Sequence, residues 1–274
     1  MVKSMKTAKI AVAYHKRYKQ PFDDLYLPVQ AGAKNSRISM PYAVKDSTGD
    51  NISEKNTMYC ELTALYWFWK NCDYDYMGLS HYRRYFTLKK KRSSEPFEII
   101  LLQKQLEPLL GRYKVFLPKK RNYYIETLYS HYAHTRYAGH LDAARDIIAE
   151  KFPEYSGCCG KVFNSRSGHM FNMMIMEKSL FDSYCNWLFS ILFELERRCG
   201  KKAEKLGSYQ SKFCGAVSEI LLNVWIEYQT ENGVLKPSEI KELDYIYTEK
   251  IDNVRKAGAF IAAKLFGKKY ERSF

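Results

Sequence analysis

Two short clusters, Tyr14-His15-Lys16 and Ser80-His81-Tyr82-Arg83-Arg84, each place an aromatic ring, an imidazole and a cation within a few residues. A guanidinium forks onto phosphate oxygens, and an aromatic or imidazole ring stacks on a base. Together these groups suit a nucleotide diphosphate. Each cluster follows a short apolar run of strand type, Lys9 to Tyr14 (KIAVAY) and Tyr76 to Leu79 (YMGL). In an open parallel sheet, ligands bind beyond the carboxyl ends of the strands. Tyr14, His15, His81, Arg83 and Arg84 are therefore expected at one edge, on a phosphate-bearing ligand. The bland alternative for the arginine pair is a surface salt-bridge cluster.

Asp73-Tyr74-Asp75 has the D-x-D form that holds a divalent ion on a diphosphate. It precedes the YMGL strand, which puts it at the wrong edge, and aspartate is a common turn residue. Arg83 and Arg84 are expected to supply the positive charge instead. No cofactor is implied outright, and a divalent ion (Mn or Mg) is left open. In the polar loop Asp46 to Asn56, Asp50 and Asn51 are placed either on a ribose or sugar hydroxyl or in a turn-and-cap network. Glu219 lies almost opposite the Val217/Ile220/Leu221/Val224 stripe of a helix, so it faces water or a cleft. In a cleft it can act as a general base. Asn172 interrupts the apolar run MFNMMIM, where it bonds backbone or meets a ligand. His131 and His134 share a helical face, but no suitably spaced acidic third ligand is evident, so no metal site is assigned.

The elements that must position these groups are legible in outline. Ser53 or Asn56 caps a helix with Met58, Leu62, Leu65, Tyr66 and Trp69 on one face. Tyr113 to Leu117 is a strand, Tyr123 to Lys151 is mainly helical, and Met170 to Met176 is a buried strand. A helix starts at Ser179 and stops at Gly200, and a further one carries Val217 to Tyr228. Strands alternating with helices predict an α/β fold with a mainly parallel sheet. Lys plus Arg total 44 against 30 acidic residues, a net charge of +14, which attracts phosphates of some kind. The seven cysteines contain no C-x-x-C pair, which argues against a zinc site and a disulfide framework and fits a reducing cytosol. No signal-peptide or membrane-spanning run is evident, so a cytoplasmic protein, or one on a membrane surface, is expected.

The segments KIAVAYHK, LPVQAGA, TGDNISEKN, YCELTALYWFWKN and DYDYMGLSHYRRYF, with the later GHMFNMMIM and GAVSEILLNVW, resemble a bacterial family known as a domain of unknown function. Its members occur among capsule, exopolysaccharide and lipopolysaccharide glycosyltransferases. The resemblance covers residues 9 to about 230. It implies a single Rossmann-like nucleotide-sugar domain of the glycosyltransferase A type, with a mixed, mainly parallel sheet flanked by helices. It also implies transfer of a hexose, galactofuranose in some relatives, from a nucleotide-sugar donor to a lipid-linked glycan acceptor. By analogy, Asn172 falls on the acceptor-side strand and Glu219 on the helix that carries the base, which makes the reaction inverting. The sequence departs from the A type in lacking an acidic pair at the diphosphate position.

Residues 1–235 are expected to form this domain and 236–274 a C-terminal extension. Val254, Ala257, Ile261 and Leu265 form a helical stripe among lysines and arginines, the pattern of a helix lying on an anionic membrane. Packing of that helix on the domain is the alternative. The competing functions are a nucleic-acid-binding protein, suggested by the charge and the 23 tyrosines, and a non-catalytic sugar-nucleotide binder. The aromatics sit at helical core spacing and no nucleic-acid motif is present, so nucleic acid is not the expected partner.

Overall fold

The apolar run of β1 (Ala8–Tyr14) is buried on both faces, as expected of a strand covered by helices on each side. The computed structural model describes residues 6–89 and 95–249. β1 is followed by β2 (Tyr26–Gln30), β3 (Val44–Lys45), α1 (Asn56–Tyr59), α2 (Leu62–Asn71), β4 (Tyr76–His81) and β5 (Arg84–Thr87). Then come α3 (Gln103–Leu106), β6 (Val115–Pro118), β7 (Arg121–Asn122), α4 (Leu128–Thr135), α5 (Gly139–Lys151) and α6 (Ser156–Asn164). The described chain closes with β8 (Ser167–Gly168), β9 (Met174–Glu177), α7 (Lys178–Glu204), α8 (Phe213–Glu231) and β10 (Ile240–Tyr247).

β3, β2, β1 and β4 run parallel to their neighbours. Beyond β4 the pattern changes. β9 pairs antiparallel with both β4 and β6, and β5 pairs antiparallel with β4 and β10. The order β3-β2-β1-β4-β5-β10-β6-β9 is thus closed on its far side by the β4–β9 pairing. The expectation of a mainly parallel sheet is not borne out, because half of the pairings in the eight-stranded sheet are antiparallel. Two local reasons account for this. β4 and β5 are joined through only Tyr82 and Arg83, and a connection that short can only make a hairpin. β9 runs against both of its neighbours, and its register sets Gly78 opposite Ile175. A Cβ at Gly78 would stand 2.5 Å from the carbonyl oxygen of Met174, so β9 packs this closely only against glycine.

Several element boundaries differ from those read off the sequence. The helix expected from Ser53 or Asn56 breaks at Cys60, which has φ 54°. The Asn56 side chain donates to the Cys60 carbonyl at 2.7 Å, and α2 begins afresh at Leu62. The strand expected over Met170 to Met176 starts only at Met174, since Phe171 and Asn172 both have positive φ. Asn172 therefore lies in a turn and not on a strand. The helix expected to stop at Gly200 runs through it to Glu204, and Ser179 lies inside that helix, whose N-cap is Glu177. The span Tyr123 to Lys151 divides into α4 and α5, and α6 follows beyond Pro153. β10, which follows residue 235, lies between β5 and β6 in the sheet. The amphipathic tail 251–274 and most of the Lys89 to Arg92 run lie outside the described residues.

The carboxyl ends of β1, β4, β6 and β10 and the amino ends of β5 and β9 share one edge. α2 covers β1, α7 covers β4 and β9, and α8 packs against α6 and α7. All seven cysteines are free. Among the described residues no helix is long and apolar enough to cross a membrane. Replacing Gly78 by alanine is expected to lower the unfolding free energy by about 1–3 kcal/mol, through overpacking of the β4–β9 contact. Urea denaturation checks this, and an unchanged midpoint would show that β9 yields without cost.

Candidate functional site

A cleft of about 380 Å³ opens at the shared edge, where β1 and β4 end, β5 begins and α8 runs beneath. His15, His81, Arg83, Arg84 and Glu219 all line it. Tyr14 lines it too, but only as wall. Its ring is fully buried against Tyr82, and its hydroxyl bonds Tyr85 at 2.9 Å. That ring is not offered to a ligand, whereas His15 beside it is exposed.

His81 accepts a bond from the Arg83 backbone N–H on Nδ1, at 3.3 Å. The ring proton therefore sits on Nε2. Burial, and then the charges of Arg84 and Arg83, hold this imidazole well below its usual pKa. It is a neutral donor at physiological pH. His15 is shifted the same way by burial and by Arg83.

The two arginines are not equivalent. Arg83 Nη1 lies 3.7 Å from Glu249, which also pairs with Lys16 at 2.8 Å. Arg84 has no carboxylate within ion-pairing distance among the described residues. Its guanidinium sits 4.4 Å from the Phe171 ring centre and 5.4 Å from that of Tyr247. The Nε atoms of both arginines are buried without a hydrogen-bond partner. A salt-bridge cluster accounts for Arg83 in part and for Arg84 not at all. Arg136, lying over the Tyr209 ring at 4.2 Å, and Lys212 add positive charge to the same cleft. Sequence reasoning missed both. Arg136 sits in a histidine-rich stretch that drew attention to metals, and Lys212 precedes α8 without any motif.

Two carboxylates, Glu61 and Glu219, line the same cleft. Glu219 projects from α8 into the cleft. Burial raises its pKa first, and the Glu61 carboxylate raises it further, against an opposing pull from Arg84. Glu61, unremarked in the sequence, opens α2 just after the break at Cys60. Its side chain is fixed by Asn172, whose amide donates to Glu61 Oε1 at 2.8 Å and to the Gly215 carbonyl at 2.9 Å. The Asn172 oxygen accepts from Ser218 Oγ at 2.9 Å. That buried amide is occupied on both ends by the protein, so Asn172 positions Glu61 and α8 and does not itself reach into the cleft. Asparagine tolerates the left-handed backbone at this turn better than most residues.

The remaining candidates lie elsewhere. Asp50 exchanges bonds with Asn71, and Asn51 bonds Gly49 and Ser53. Neither lines the cleft, so the turn-and-cap arrangement describes them. The buried carboxylate of that loop is Asp46, which accepts from the Gly32 and Ala33 N–H groups at 2.7 and 2.9 Å. Asp75 accepts from the Thr7 backbone and hydroxyl at the opposite edge of the sheet, and Asp73 is exposed there. His131 and His134 do have an acidic neighbour. Each Nδ1 bonds one oxygen of buried Glu126, at 2.8 and 2.6 Å. No group of three or more metal-ligating side chains that could hold an ion occurs among the described residues.

Aromatic rings gather around Arg84, whose guanidinium rests on Phe171 and Tyr247. Phe171 meets Tyr245 at 5.2 Å, and Tyr245 meets Tyr247 at 5.8 Å. Burial raises the Tyr123 phenol, and the Glu219 charge reaches it as well. The cleft is thus lined by cations and carboxylates together, with an aromatic flank beside Arg84. Such a flank suits the apolar faces of sugar rings.

The apo structure of WbbM, a bifunctional glycosyltransferase, matches with a TM-score of 0.77 at 29% identity, over 89% of this chain and 46% of that one. The chain thus spans about half the length of the protein it resembles. No curated protein sequence matches it. The pattern of the family described as a domain of unknown function, DUF4422, matches residues 9–231. That span holds Glu61, Asn172, Glu219 and the His81 to Arg84 turn, and on it the chain belongs to the DUF4422 family.

Proposed function

We propose that the protein is a glycosyltransferase of the A-type fold, moving a hexose from a nucleotide-sugar donor to a lipid-linked glycan. The observation that carries this reading is one cleft lined by both cations and carboxylates. Likeness to a bifunctional glycosyltransferase supports it. A uridine diphosphate donor and an acceptor of capsule, exopolysaccharide or lipopolysaccharide synthesis are the partners in this reading, with galactofuranose among the candidate sugars. The work would take place at the inner face of the cytoplasmic membrane.

In the proposed reaction the diphosphate lies on Arg83, Arg84 and the Nε2–H of His81, with His15 beside it. Glu219 takes the proton from the acceptor hydroxyl as that oxygen attacks the anomeric carbon. The bond from that carbon to the diphosphate oxygen breaks, and the guanidiniums hold the charge that develops. The single displacement inverts the anomeric centre. A carboxylate with a raised pKa is a stronger base than an ordinary glutamate. Glu61 shares the cleft and keeps Glu219 in that state through like-charge repulsion.

Thermal shift and hydrolysis with UDP-, GDP- and CMP-sugars, with and without manganese, test the donor assignment. One UDP-sugar is expected to stabilise the protein without metal, and Arg83→Ala is expected to abolish the shift. Stabilisation by no donor would leave the likeness one of fold alone. Activity lost in EDTA and restored by manganese would overturn the substitution of arginine for a metal.

Glu219→Gln is expected to lower kcat roughly 100- to 10,000-fold while donor binding persists. In the parent enzyme kcat/KM should rise with pH through an apparent pKa above the ordinary glutamate value, since the base must be ionised. A pH profile that is unchanged in the variant would exclude Glu219. Stability gives a second readout. A carboxyl whose pKa is raised on folding destabilises the protein as pH climbs through the folded pKa. Glu219→Gln should therefore raise Tm at neutral pH and lose that advantage below the unfolded pKa of about 4.

A further inference from the structure

Beside the cleft, the chain between β7 and α4 holds two apolar side chains in water. Tyr123 turns inward, with its ring 4.3 Å from that of His131. Tyr124 and Ile125 turn outward and are 78% and 68% exposed. Glu126 turns inward again, buried and held by His131 and His134. The backbone is built for this alternation. Tyr124 has φ 55°, a conformation unfavourable for any residue with a side chain. The Ile125 and Glu126 N–H groups both donate to the Tyr123 carbonyl, at 2.7 and 3.3 Å, and the Tyr123 N–H donates to Arg166 at 2.8 Å. This tip is therefore braced on both sides, and the bracing presents apolar surface outward instead of burying it.

Cations surround the tip. Lys120 and Arg166 are exposed and have no carboxylate within ion-pairing distance among the described residues. Arg121 lies over the Tyr123 ring at 5.0 Å. Tyrosine settles at the headgroup level of a bilayer, and basic residues near the surface are drawn to anionic lipid. An exposed apolar pair rimmed by unpaired cations is complementary to one kind of surface. We propose that the loop 120–125, with Arg166, seats on an anionic lipid surface, Tyr124 among the headgroups and Ile125 at the acyl boundary. The contact does not rest on the transferase reading. It does place the lipid surface next to the cleft, because Tyr123 at the base of the tip lies within reach of the Glu219 charge.

The test uses the full-length chain with vesicles of phosphatidylcholine, with and without phosphatidylglycerol. Cosedimentation is expected only with phosphatidylglycerol, and the double variant Tyr124→Ser/Ile125→Ser should weaken it by about tenfold or more. Unchanged thermal melting of that variant would confirm an intact fold, as expected for exposed side chains. A second variant, Ile125→Trp, reports depth. Its added fluorescence should be quenched by brominated acyl chains on phosphatidylglycerol vesicles. Absence of binding, equal binding to neutral vesicles, or binding that leaves Trp fluorescence unquenched would each overturn the proposal. The last outcome would assign the membrane contact to the basic C-terminal tail. Capture of a soluble acidic partner by the parent without vesicle binding would count equally against it.

Discussion

The geometry of the cleft depends on the side-chain amide of Asn172. It sits buried at a left-handed turn and joins three chain segments that are far apart in sequence. Its nitrogen holds Glu61 and the Gly215 carbonyl, and its oxygen holds Ser218. The preceding residue, Phe171, is left-handed as well, and the two together turn the chain so that the Asn172 amide faces Glu61. Only an amide has a donor end and an acceptor end of this size. An aspartate there would set a second negative charge against Glu61, and an alanine would remove the donor to Glu61 Oε1 and the acceptor for Ser218. Gly215 belongs to the same constraint, since a Cβ on it would press within 3.3 Å of Cys60.

Around this node the cleft carries both signs of charge. Arg84 rests on Phe171 and Tyr247, and no carboxylate lies within ion-pairing distance of it among the described residues. A buried guanidinium nitrogen without a partner is costly, and such a cost persists where a ligand supplies the missing acceptor. Glu61 and Glu219 line the same cleft as the arginines, and the charges of Arg84 and Arg136 reach Glu219. At His81, burial and then the neighbouring arginines keep the ring neutral, with its proton on Nε2.

The aromatic content has several distinct uses. Tyr14, Tyr82 and Tyr85 build a wall beside the cleft, with hydroxyls satisfied internally or at the rim. Phe171, Tyr245 and Tyr247 form the flank beside Arg84. Tyr124 faces outward. The same residue type thus serves core, site and surface, and composition alone cannot sort them. β10 makes the point sharply. It lies beyond the region of motif resemblance, yet it supplies two rings of the flank and closes the sheet.

From the sequence by itself came β1 and β4, the basic clusters at their carboxyl ends, the orientation of Glu219 away from its helix core and the displacement of Asp73 and Asp75 to the other edge. These follow from local periodicity and from the rule that strand ends carry ligands, so they need no knowledge of distant partners. What the tertiary structure alone decided was pairing across the chain. The antiparallel insertion of β9, the break at Cys60 that presents Glu61, the inward turn of Asn172 and the arrival of Arg136, Lys212 and β10 all depend on contacts between segments a hundred or so residues apart. No local pattern encodes them, because a buried hydrogen bond or a left-handed residue is selected by the neighbour it meets and not by the residues on either side.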